Sequence, residues 1–265
     1  MTTSAHHTAP LALITGASSG IGATYAERLA KRGYDLVLVA RDRVRMEALA
    51  VTLRKETDVT ISILPADLAN LDDLRRIEAF IEATPQLSLL VNNAGATLPG
   101  GMLDNDVDAL DQLIRLNITA LTRLARAAAP GLLNHPHGAI INIASVLGLA
   151  PELGSAIYPA TKSFVLTLSQ SLQIELGPRG LYVQAVLPAV TRTEIWQRSG
   201  RDVNQLKGIM EVDELVDAAL VAFDKKELVT IPPLQDEKYW LDYEIARKAM
   251  HPEFRREHAA PRYHK

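Results

Sequence analysis

Two side chains of this chain, Tyr158 and Lys162, could together perform proton transfer. They stand four residues apart, and on a helix that spacing places both on one face. A free phenol ionises at about pH 10, but a neighbouring ammonium group favours the phenolate and lowers the tyrosine pKa toward neutral pH. Such a tyrosine can act as a general acid or base. The spacing alone is more typical of a surface pair, so its meaning depends on the residues that precede it.

A glycine-rich segment near the N-terminus indicates a site for nucleotide phosphates. Residues 15–22 read TGASSGIG and lie between an apolar run and a helical pattern. Gly16 would permit the tight turn, Gly20 would let the backbone approach a pyrophosphate, and Gly22 would allow close helix packing. The helix N-terminus would add free N–H groups and positive potential. An ordinary turn between a strand and a helix is the alternative interpretation.

The end of the second predicted strand bears on the choice of cofactor. An NAD site has an acidic residue there that binds the ribose hydroxyls, whereas this strand ends in Arg41. A guanidinium group would pair with the 2′-phosphate of NADP, so the sequence favours NADP(H) over NAD(H). Asp42 leaves ribose binding open, and Arg41 could also be a solvated residue at a helix start. Asp67, after the third strand, could bind the adenine amino group or cap a helix.

Short apolar runs alternate with amphipathic stretches over the first 230 residues. This alternation predicts repeated βαβ units with right-handed crossovers, and therefore an α/β, doubly wound fold around a parallel sheet. Helices are expected in the intervals between the runs. The seven predicted strands are Leu11–Thr15, Asp35–Ala40, Thr60–Leu64, Leu87–Val91, Ala139–Ile143, Tyr182–Val186 and Leu228–Ile231.

The composition favours one large domain over residues 1–265, because no linker or repeat divides the chain and 48% of its residues are hydrophobic. Residues 9–232 would form its core. Residues 233–265 form a charged, aromatic C-terminal extension with a helical pattern over Asp236–Met250. We expect this extension to pack on the body or to be partly disordered.

Several classes of function are disfavoured by the composition. A formal charge of −3 gives no attraction to nucleic acid, and the absence of cysteine excludes disulfides and thiolate chemistry. The histidines lack metal-site spacing, so no metal is expected. The N-terminus does not resemble a signal peptide, and no apolar run is long enough to span a membrane. The sequence therefore predicts a cytoplasmic protein without nucleic-acid or membrane partners.

With Asn92-Asn93-Ala94-Gly95, Asn117 and Ser145, these motifs resemble the single-domain branch of the short-chain dehydrogenase/reductase family. Their order and intervals agree over about residues 9 to 232. The resemblance implies a seven-stranded Rossmann fold in the order 3-2-1-4-5-6-7, a nicotinamide cofactor, and interconversion of a carbonyl and an alcohol. It also implies a homodimer or homotetramer joined through the fourth and fifth predicted helices, which follow the fourth and fifth strands.

The resemblance gives four residues catalytic roles. Tyr158 would donate a proton to the carbonyl oxygen as hydride arrives from the nicotinamide. Lys162 would lower the pKa of this tyrosine and bind the nicotinamide ribose. Ser145 would form a hydrogen bond to the carbonyl oxygen, although a turn cap is its ordinary role. The backbone of Asn117 would hold a water that connects Lys162 to solvent.

The same resemblance assigns residues to the cofactor and exposes two departures. Asn92 would help line the riboses, and Thr193 would contact the carboxamide. Ala189 replaces the usual glycine after Pro188, which could stiffen the loop there. Pro159 disfavours helical backbone at Tyr158, so a regular α-helix is expected only from Pro159 onward. The residues expected to bind the cofactor are Gly16, Ser18, Ser19, Gly20, Ile21, Gly22, Arg41, Asp67, Leu68, Asn93, Ala94, Gly95, Tyr158, Lys162, Pro188 and Thr193.

The expected substrate walls, residues 96–102, 146–157 and 189–210, are mostly apolar. They favour a small, lipophilic carbonyl substrate, although the same side chains could be loop packing. Arginines on the fourth predicted helix could bind an acidic carrier protein, so a 3-oxoacyl group on such a carrier stays an alternative substrate. The other interpretation is that these arginines form a solvated helix face. A redox-inert NADP(H)-binding sensor or scaffold is the rival function, but it would have no need of all four catalytic residues. The residues concerned are Leu147, Leu149, Leu153, Ile195, Trp196 and Met210 for the walls, and Arg115, Arg123 and Arg126 for the carrier protein.

Overall fold

The computed structural model describes residues 9–154, 156–198 and 202–264. The chain divides into two compact units, with the boundary between Pro232 and Pro233. The first unit contains the sheet and the helices that flank it. The second unit contains one helix and short turns.

The described residues of the first unit form one parallel sheet in the order β3-β2-β1-β4-β5-β6-β7. The predicted fold class, the seven strands and their order are therefore confirmed. The third strand begins one residue later than predicted, and the seventh is shorter because only two of its residues pair with β6. The strands are β1 (Leu11–Thr15), β2 (Asp35–Ala40), β3 (Ile61–Pro65), β4 (Leu87–Asn92), β5 (Ala139–Ile143), β6 (Tyr182–Val186) and β7 (Val229–Thr230).

Helices cover both faces of this sheet, because side chains of each strand alternate between two apolar layers. In β1, Ala12 and Ile14 pack with the helices at 20–31, 43–56 and 212–224, whereas Leu13 packs on the opposite side with the helices at 71–82, 121–133 and 157–176. Each fully buried aliphatic side chain contributes about 2 kcal/mol. The helices are α1 (Gly20–Lys31), α2 (Arg43–Glu56), α3 (Leu71–Glu82), α4 (Val107–Ile114), α5 (Leu121–Leu133), α6 (Ile157–Leu176), α7 (Ile195–Arg198) and α8 (Val212–Asp224).

The helical segment after β4 is not one regular helix. Between α4 and α5 lies a π-helical turn, Arg115–Ala120, which sequence periodicity did not predict. The fourth predicted helix therefore consists of three parts, and the fifth predicted helix is α6. Turns of this kind are rare and occur mostly at functional sites.

The second unit consists of α9 (Lys238–Ala249) followed by short 3₁₀ turns at 251–255 and 261–263. The helix lies within the predicted helical pattern. No residue of α9 is buried, and its charges pair along the helix, as in the 2.8 Å contact between Arg247 and Glu244. Among the described residues of both units, we find no helix with the length and apolarity needed to cross a bilayer.

The reversal of strand order at β1 and β4 determines where a ligand can bind. From β1 the chain proceeds outward through β2 to β3, and then returns to β4 on the other side. The connections leave β1 and β4 in opposite directions, so a crevice opens at their carboxyl ends. The predicted phosphate turn follows β1, and Asn93 follows β4, so the two motifs lie on opposite sides of this crevice.

Candidate active site

The four predicted catalytic residues come from the loop after β5, the π-helical turn and the first two turns of α6. Ser145 lies two residues after the end of β5, where its hydroxyl donates to the Pro188 carbonyl (3.3 Å) and accepts from the backbone N–H of Leu147 (3.2 Å). It therefore caps a short 3₁₀ turn and also interacts with the hydroxyl of Tyr158. The capping role and the expected catalytic role are compatible, because the hydroxyl oxygen can keep accepting from Leu147 while its single O–H turns from the Pro188 carbonyl to a substrate oxygen.

Helix α6 begins earlier than the sequence predicted. Tyr158 is already helical and the first residue is Ile157, so the expectation that regular helix starts at Pro159 was wrong. Pro159 is the third residue of the helix, where a backbone N–H would have no partner within the helix. The missing proline N–H therefore costs nothing there, and Tyr158 and Lys162 share a helix face as predicted.

Lys162 is buried, with 6% of its surface exposed. Its ammonium group donates to the Ile143 carbonyl (2.9 Å) and lies 5.6 Å from the centroid of the Tyr158 ring. Burial lowers the pKa of Lys162 to about 8. A Cβ atom on Gly95 would lie 3.6 Å from this nitrogen, so the turn after β4 closes over the lysine.

The pKa of Tyr158 differs from the sequence-based expectation. Burial raises it to about 12, and the interaction with Ser145 opposes this only in part. The lowering expected from Lys162 is therefore not observed within the protein alone. The ammonium group is directed to the Ile143 carbonyl, and the desolvation that disfavours its charge also disfavours the phenolate.

The buried lysine predicts a pH dependence of stability. Its pKa is about 8 in the folded protein and about 10.4 in an unfolded chain, so the unfolded state binds more protons between these values. Stability should therefore rise with pH across this interval. In Lys162→Met, we expect the slope of unfolding free energy against pH, measured by urea denaturation from about pH 8 to 10, to fall by about 1 kcal/mol per unit.

The matched control for this measurement is Lys55→Met, because Lys55 lies exposed near the end of α2. We expect its slope to equal that of the wild type. An unchanged slope in Lys162→Met would contradict the depressed pKa of the buried ammonium group.

Asn117 lies in the π-helical turn with 2% of its surface exposed. Its side chain binds both backbone groups of Ala96, accepting from the N–H (2.9 Å) and donating to the carbonyl (3.0 Å). It also donates to Thr161 (3.1 Å), whose hydroxyl donates to the Tyr158 carbonyl (2.8 Å). The sequence pointed to the backbone of Asn117 and missed this side-chain bridge. Thr161, next to Lys162, was the available signal.

The phosphate turn has the geometry that a dinucleotide requires. Gly16 and Gly20 have φ values of +66° and +52°, which favour glycine. A Cβ atom on Gly22 would lie 2.3 Å from the Gly16 carbonyl oxygen, so no larger residue fits. Helix α1 begins at Gly20, and no side chain caps its first N–H groups. The other predicted residues of this turn, Ser18, Ser19 and Ile21, are partly exposed.

The turn after β4 is fastened to the phosphate turn. Asn93 donates from its side chain to the carbonyls of Thr15 (2.9 Å) and Gly16 (3.3 Å). The Thr15 hydroxyl in turn accepts from the backbone N–H groups of Asn93 and Ala94 (both 3.0 Å). Gly95 follows beside Lys162. These contacts fix both walls of the crevice relative to each other.

Asn92 does not line the crevice, contrary to the expectation from sequence. It is 2% exposed, and its side chain donates to Asn142 of β5 (3.1 Å). Asn142 donates in turn to Ser169 of α6 (2.9 Å). The Asn92 side chain points to the face of the sheet that α5 and α6 cover, because successive side chains of a strand alternate between the two faces. The sequence did not reveal this buried network.

Arg41 follows β2 with its side chain exposed, and no described residue pairs with it. The neighbouring Asp42 is the N-cap of α2 and accepts from the backbone N–H of Arg45 (3.0 Å). Asp67 accepts from the backbone N–H of Ala69 (3.0 Å), so it stabilises a turn. The cap of α3 is Asn70. Leu68, the residue after Asp67, is buried in the core.

The predicted segment after β6 extends back over the phosphate turn. Pro188 accepts hydrogen bonds from Ser145 and from the backbone N–H of Val146 (3.0 Å). The Ala189 carbonyl accepts from the hydroxyl of Thr191 (3.2 Å). A Cβ atom on Gly20 would lie 3.2 Å from the methyl group of Thr193, so this threonine covers the turn. Residues 155 and 199–201 of the predicted substrate walls lie outside the described residues.

A small apolar cavity, partly open to solvent, adjoins Tyr158. The predicted walls at 96–102 and 146–157 contribute to it, the second through Ile157, but the contribution of α4 was missed. Trp196 donates to the Thr191 carbonyl (2.7 Å), which fits the alternative of loop packing, and Leu153 is exposed. The cavity is lined by Leu98, Gly101, Met102, Asn105, Leu110, Leu113, Ile157 and Tyr158.

The three arginines considered for an acidic carrier protein are mostly paired. Arg115 binds Asp111 of α4 (2.6 Å), and Arg123 binds Glu78 of α3. Arg126 is exposed on α5. Paired guanidinium groups attract an acidic partner weakly, so this surface gives little support to a carrier-bound substrate.

Together, the topology and the phosphate turn define a Rossmann-fold protein that binds a nucleotide, and the site adds a serine, a tyrosine and a lysine at the crevice. Comparison with known proteins agrees with this class. The family model for short chain dehydrogenases matches residues 10–204. The chain belongs to the short-chain dehydrogenase/reductase family and is an oxidoreductase that acts on alcohol and carbonyl groups.

Two solved structures are similar over nearly the whole chain. A short-chain dehydrogenase from Sphingobium yanoikuyae in complex with NADPH is 56% identical, with a TM-score of 0.94, and the alignment covers 96% of this chain and 100% of that one. The bulky-bulky ketone specific alcohol dehydrogenase from Comamonas testosteroni is 52% identical, with a TM-score of 0.90 and coverage of 97% and 99%. An uncharacterized oxidoreductase of Staphylococcus epidermidis is 32% identical, covering 83% of this chain and 94% of that protein.

Proposed function

We propose that this protein is an NADP(H)-dependent reductase of lipophilic ketones, with Tyr158 as the general acid. The observation that carries the proposal is the position of Tyr158, whose hydroxyl interacts with Ser145 while its side chain borders the apolar cavity. A ketone at the mouth of that cavity would have its carbonyl oxygen near these two hydroxyl groups and its apolar groups toward Leu98, Met102 and Ile157.

The crevice fits a nicotinamide dinucleotide, because its phosphate turn excludes any Cβ at Gly22 and its helix α1 begins there with uncapped N–H groups. The residues that would hold the cofactor are those of the phosphate turn, with Arg41, Asn93, Ala94, Gly95, Lys162, Pro188 and Thr193. When bound, the cofactor supplies the hydride for reduction of the carbonyl carbon. Asp67 and Leu68 would contribute at the adenine end.

The protein's own residues would handle the proton and the developing charge. The Ser145 hydroxyl donates a hydrogen bond to the carbonyl oxygen, and the Tyr158 hydroxyl donates the proton to it. A pKa of about 12 keeps the phenol protonated at neutral pH, which suits the reductive direction. The Lys162 ammonium group favours the phenolate that remains. Asn117 holds the backbone at Ala96 and so fixes the turn that covers Lys162.

NADP(H) is favoured over NAD(H) by the environment of the second strand end. Arg41 is exposed and unpaired among the described side chains, so it can bind the 2′-phosphate in a bidentate manner. Asp42, the alternative ligand for an NAD ribose, already caps α2. The similar dehydrogenase from Sphingobium yanoikuyae was solved with NADPH, which supports the same choice for this chain.

We propose a ketone with bulky groups on both sides of the carbonyl as the substrate class. The cavity beside Tyr158 is apolar and contains no charged lining residue. The Comamonas testosteroni enzyme, half of whose residues are identical, is specific for bulky-bulky ketones.

We further expect a homodimer or homotetramer through α5 and α6, since Phe164 and Ile174 of α6 are exposed.

The experiment that tests this function measures NADPH consumption over a panel of ketones, aldehydes and acyl thioesters, with NADH in parallel. We expect turnover with ketones that carry two bulky apolar groups, and activity with NADH lower by at least about tenfold. Turnover confined to acyl thioesters would refute the ketone proposal. Tight NADPH binding without turnover of any carbonyl compound would favour the redox-inert sensor.

A further inference from the structure

An ion pair joins two segments that are 149 residues apart in sequence. The Arg45 Nη1 atom lies 2.7 and 2.6 Å from the two carboxylate oxygens of Glu194. Arg45 lies in the first turn of α2, after β2, whereas Glu194 lies in the segment after β6. Both side chains are partly exposed, so salt and solvent can reach the pair.

The sheet order shows how far the chain must cross the sheet to bring Glu194 to Arg45. From β2 to β6 there are four steps across the sheet, through β1, β4 and β5. At about 4.8 Å per step the two strands are roughly 19 Å apart. Residues 189–194, here called the crossing segment, cover part of this distance, and because they bend at 190, 192 and 193 the side chains of Glu194 and Arg45 cover the rest.

The crossing segment therefore passes over the crevice. The strand ends that it crosses carry Ser145, the turn at 92–95 and the phosphate turn. The position of Thr193 agrees with this path, since its methyl group lies 3.2 Å from the place of a Cβ on Gly20. Any dinucleotide in the crevice would lie beneath this segment.

The two ends of the crossing segment are held differently. Near β6, backbone hydrogen bonds anchor it: the Met210 N–H donates to the Val190 carbonyl (2.9 Å), and the Arg192 N–H donates to the Met210 carbonyl (3.0 Å). At the far end, side chains make the contact, through Glu194 and Arg45. A charge pair at the surface breaks more readily than a backbone ladder, so the far end is the one that can open.

We propose that Arg45 and Glu194 form a latch that holds the crossing segment over the bound cofactor, and that opening of this latch controls cofactor release. The proposal rests on the proposed function only in requiring that a nicotinamide cofactor binds in the crevice. The latch acts on both NADPH and NADH, because it retains the cofactor through the chain that covers it. Arg45 and Glu194 are positioning residues and take no part in hydride or proton transfer.

The test is the rate of NADPH dissociation from the full chain, followed by the fluorescence of bound NADPH after mixing with excess NADP⁺. We expect Glu194→Gln to release NADPH about fivefold faster, the factor expected of one surface ion pair. Addition of about 0.5 M NaCl should speed release from the wild type toward that of the variant, because salt screens exposed charges.

Glu47→Gln is the matched control. Glu47 pairs with Arg43 on α2 (2.7 Å), so this variant removes one exposed carboxylate of a surface ion pair close to Arg45 but leaves the latch and the crossing segment intact. We expect its dissociation rate to equal that of the wild type. Arg45→Gln should match Glu194→Gln, and the double variant should release NADPH no faster than either, because both changes break the same contact.

Other outcomes would overturn the latch. An unchanged rate in Glu194→Gln would do so, as would an Arg45→Gln variant that releases NADPH faster but NADH at the normal rate, since Arg45 would then be a ligand of the 2′-phosphate. Failure of the proposed function is distinguishable, because a wild-type protein that binds neither NADPH nor NADH would show no fluorescence change at all.

Discussion

Replacement of Tyr158 by Phe should reduce ketone turnover by roughly 10² to 10⁴-fold, the range for loss of a general acid. The change removes a single hydroxyl that interacts with Ser145 and leaves the ring against the cavity. We therefore expect NADPH to bind with an affinity within about twofold of the wild type. Steady-state kinetics with the best ketone of the panel and a fluorescence titration with NADPH measure the two quantities.

Tyr25→Phe is the matched control for this variant. Tyr25 is fully buried in α1, and its hydroxyl has no hydrogen-bond partner among the described residues. Removal of this unpaired hydroxyl should leave turnover unchanged and raise stability by about 1 kcal/mol. Wild-type turnover in Tyr158→Phe would contradict the assignment of Tyr158 as the general acid. A loss of turnover in Tyr25→Phe would show that the assay responds to changes in packing.

Replacement of Arg41 by Asp should weaken NADPH binding by about 100-fold, because it removes a charge-assisted contact and places a carboxylate beside a phosphate. NADH lacks that phosphate, so its affinity should stay the same or improve as the new carboxylate binds the ribose. Titration of the variant with both cofactors gives the change in preference. This titration can be done without knowing the substrate.

Arg43→Asp provides the same change of charge two residues away. Arg43 is exposed and pairs with Glu47 (2.7 Å) along α2, outside the crevice. Its effect on NADPH affinity should be small, since only long-range screened electrostatics would act. An unchanged cofactor preference in Arg41→Asp would mean that other residues, such as Ser18 or Asp42, decide between NADPH and NADH.

The architecture could be predicted because its signal is local. Strands buried on both faces appear as continuous apolar runs, as in β1 and β2, where every residue after the first is buried. The phosphate turn was recognisable for the same reason, since Gly16 and Gly20 adopt positive φ values that favour glycine and Gly22 leaves no room for a side chain. The convergence of Ser145, Asn117 and Lys162 required the family resemblance, because they come from three separate elements.

Other features depend on contacts that are distant in sequence. The side-chain bridge of Asn117 to Ala96 and Thr161 exists only after β4 and α6 have come together. The pKa of Tyr158 was mispredicted because spacing reports a neighbour but not burial, and burial is the larger effect. The start of α6 was mispredicted because the steric preference before Pro159 is weaker than the packing of the helix.

The π-helical turn at 115–120 has a consequence for the comparison of this chain with others. A π turn contains more residues than an α turn of the same height, so it enters an alignment as a difference in length. Each residue of an α-helix rotates the following side chain by about 100°. A relative with one residue fewer between Ala96 and Leu121 would return to α-helical pitch and turn the equivalent of Asn117 away from the crevice. A one-residue gap there would therefore distinguish relatives that lack this bridge, even where the tyrosine and lysine are both present.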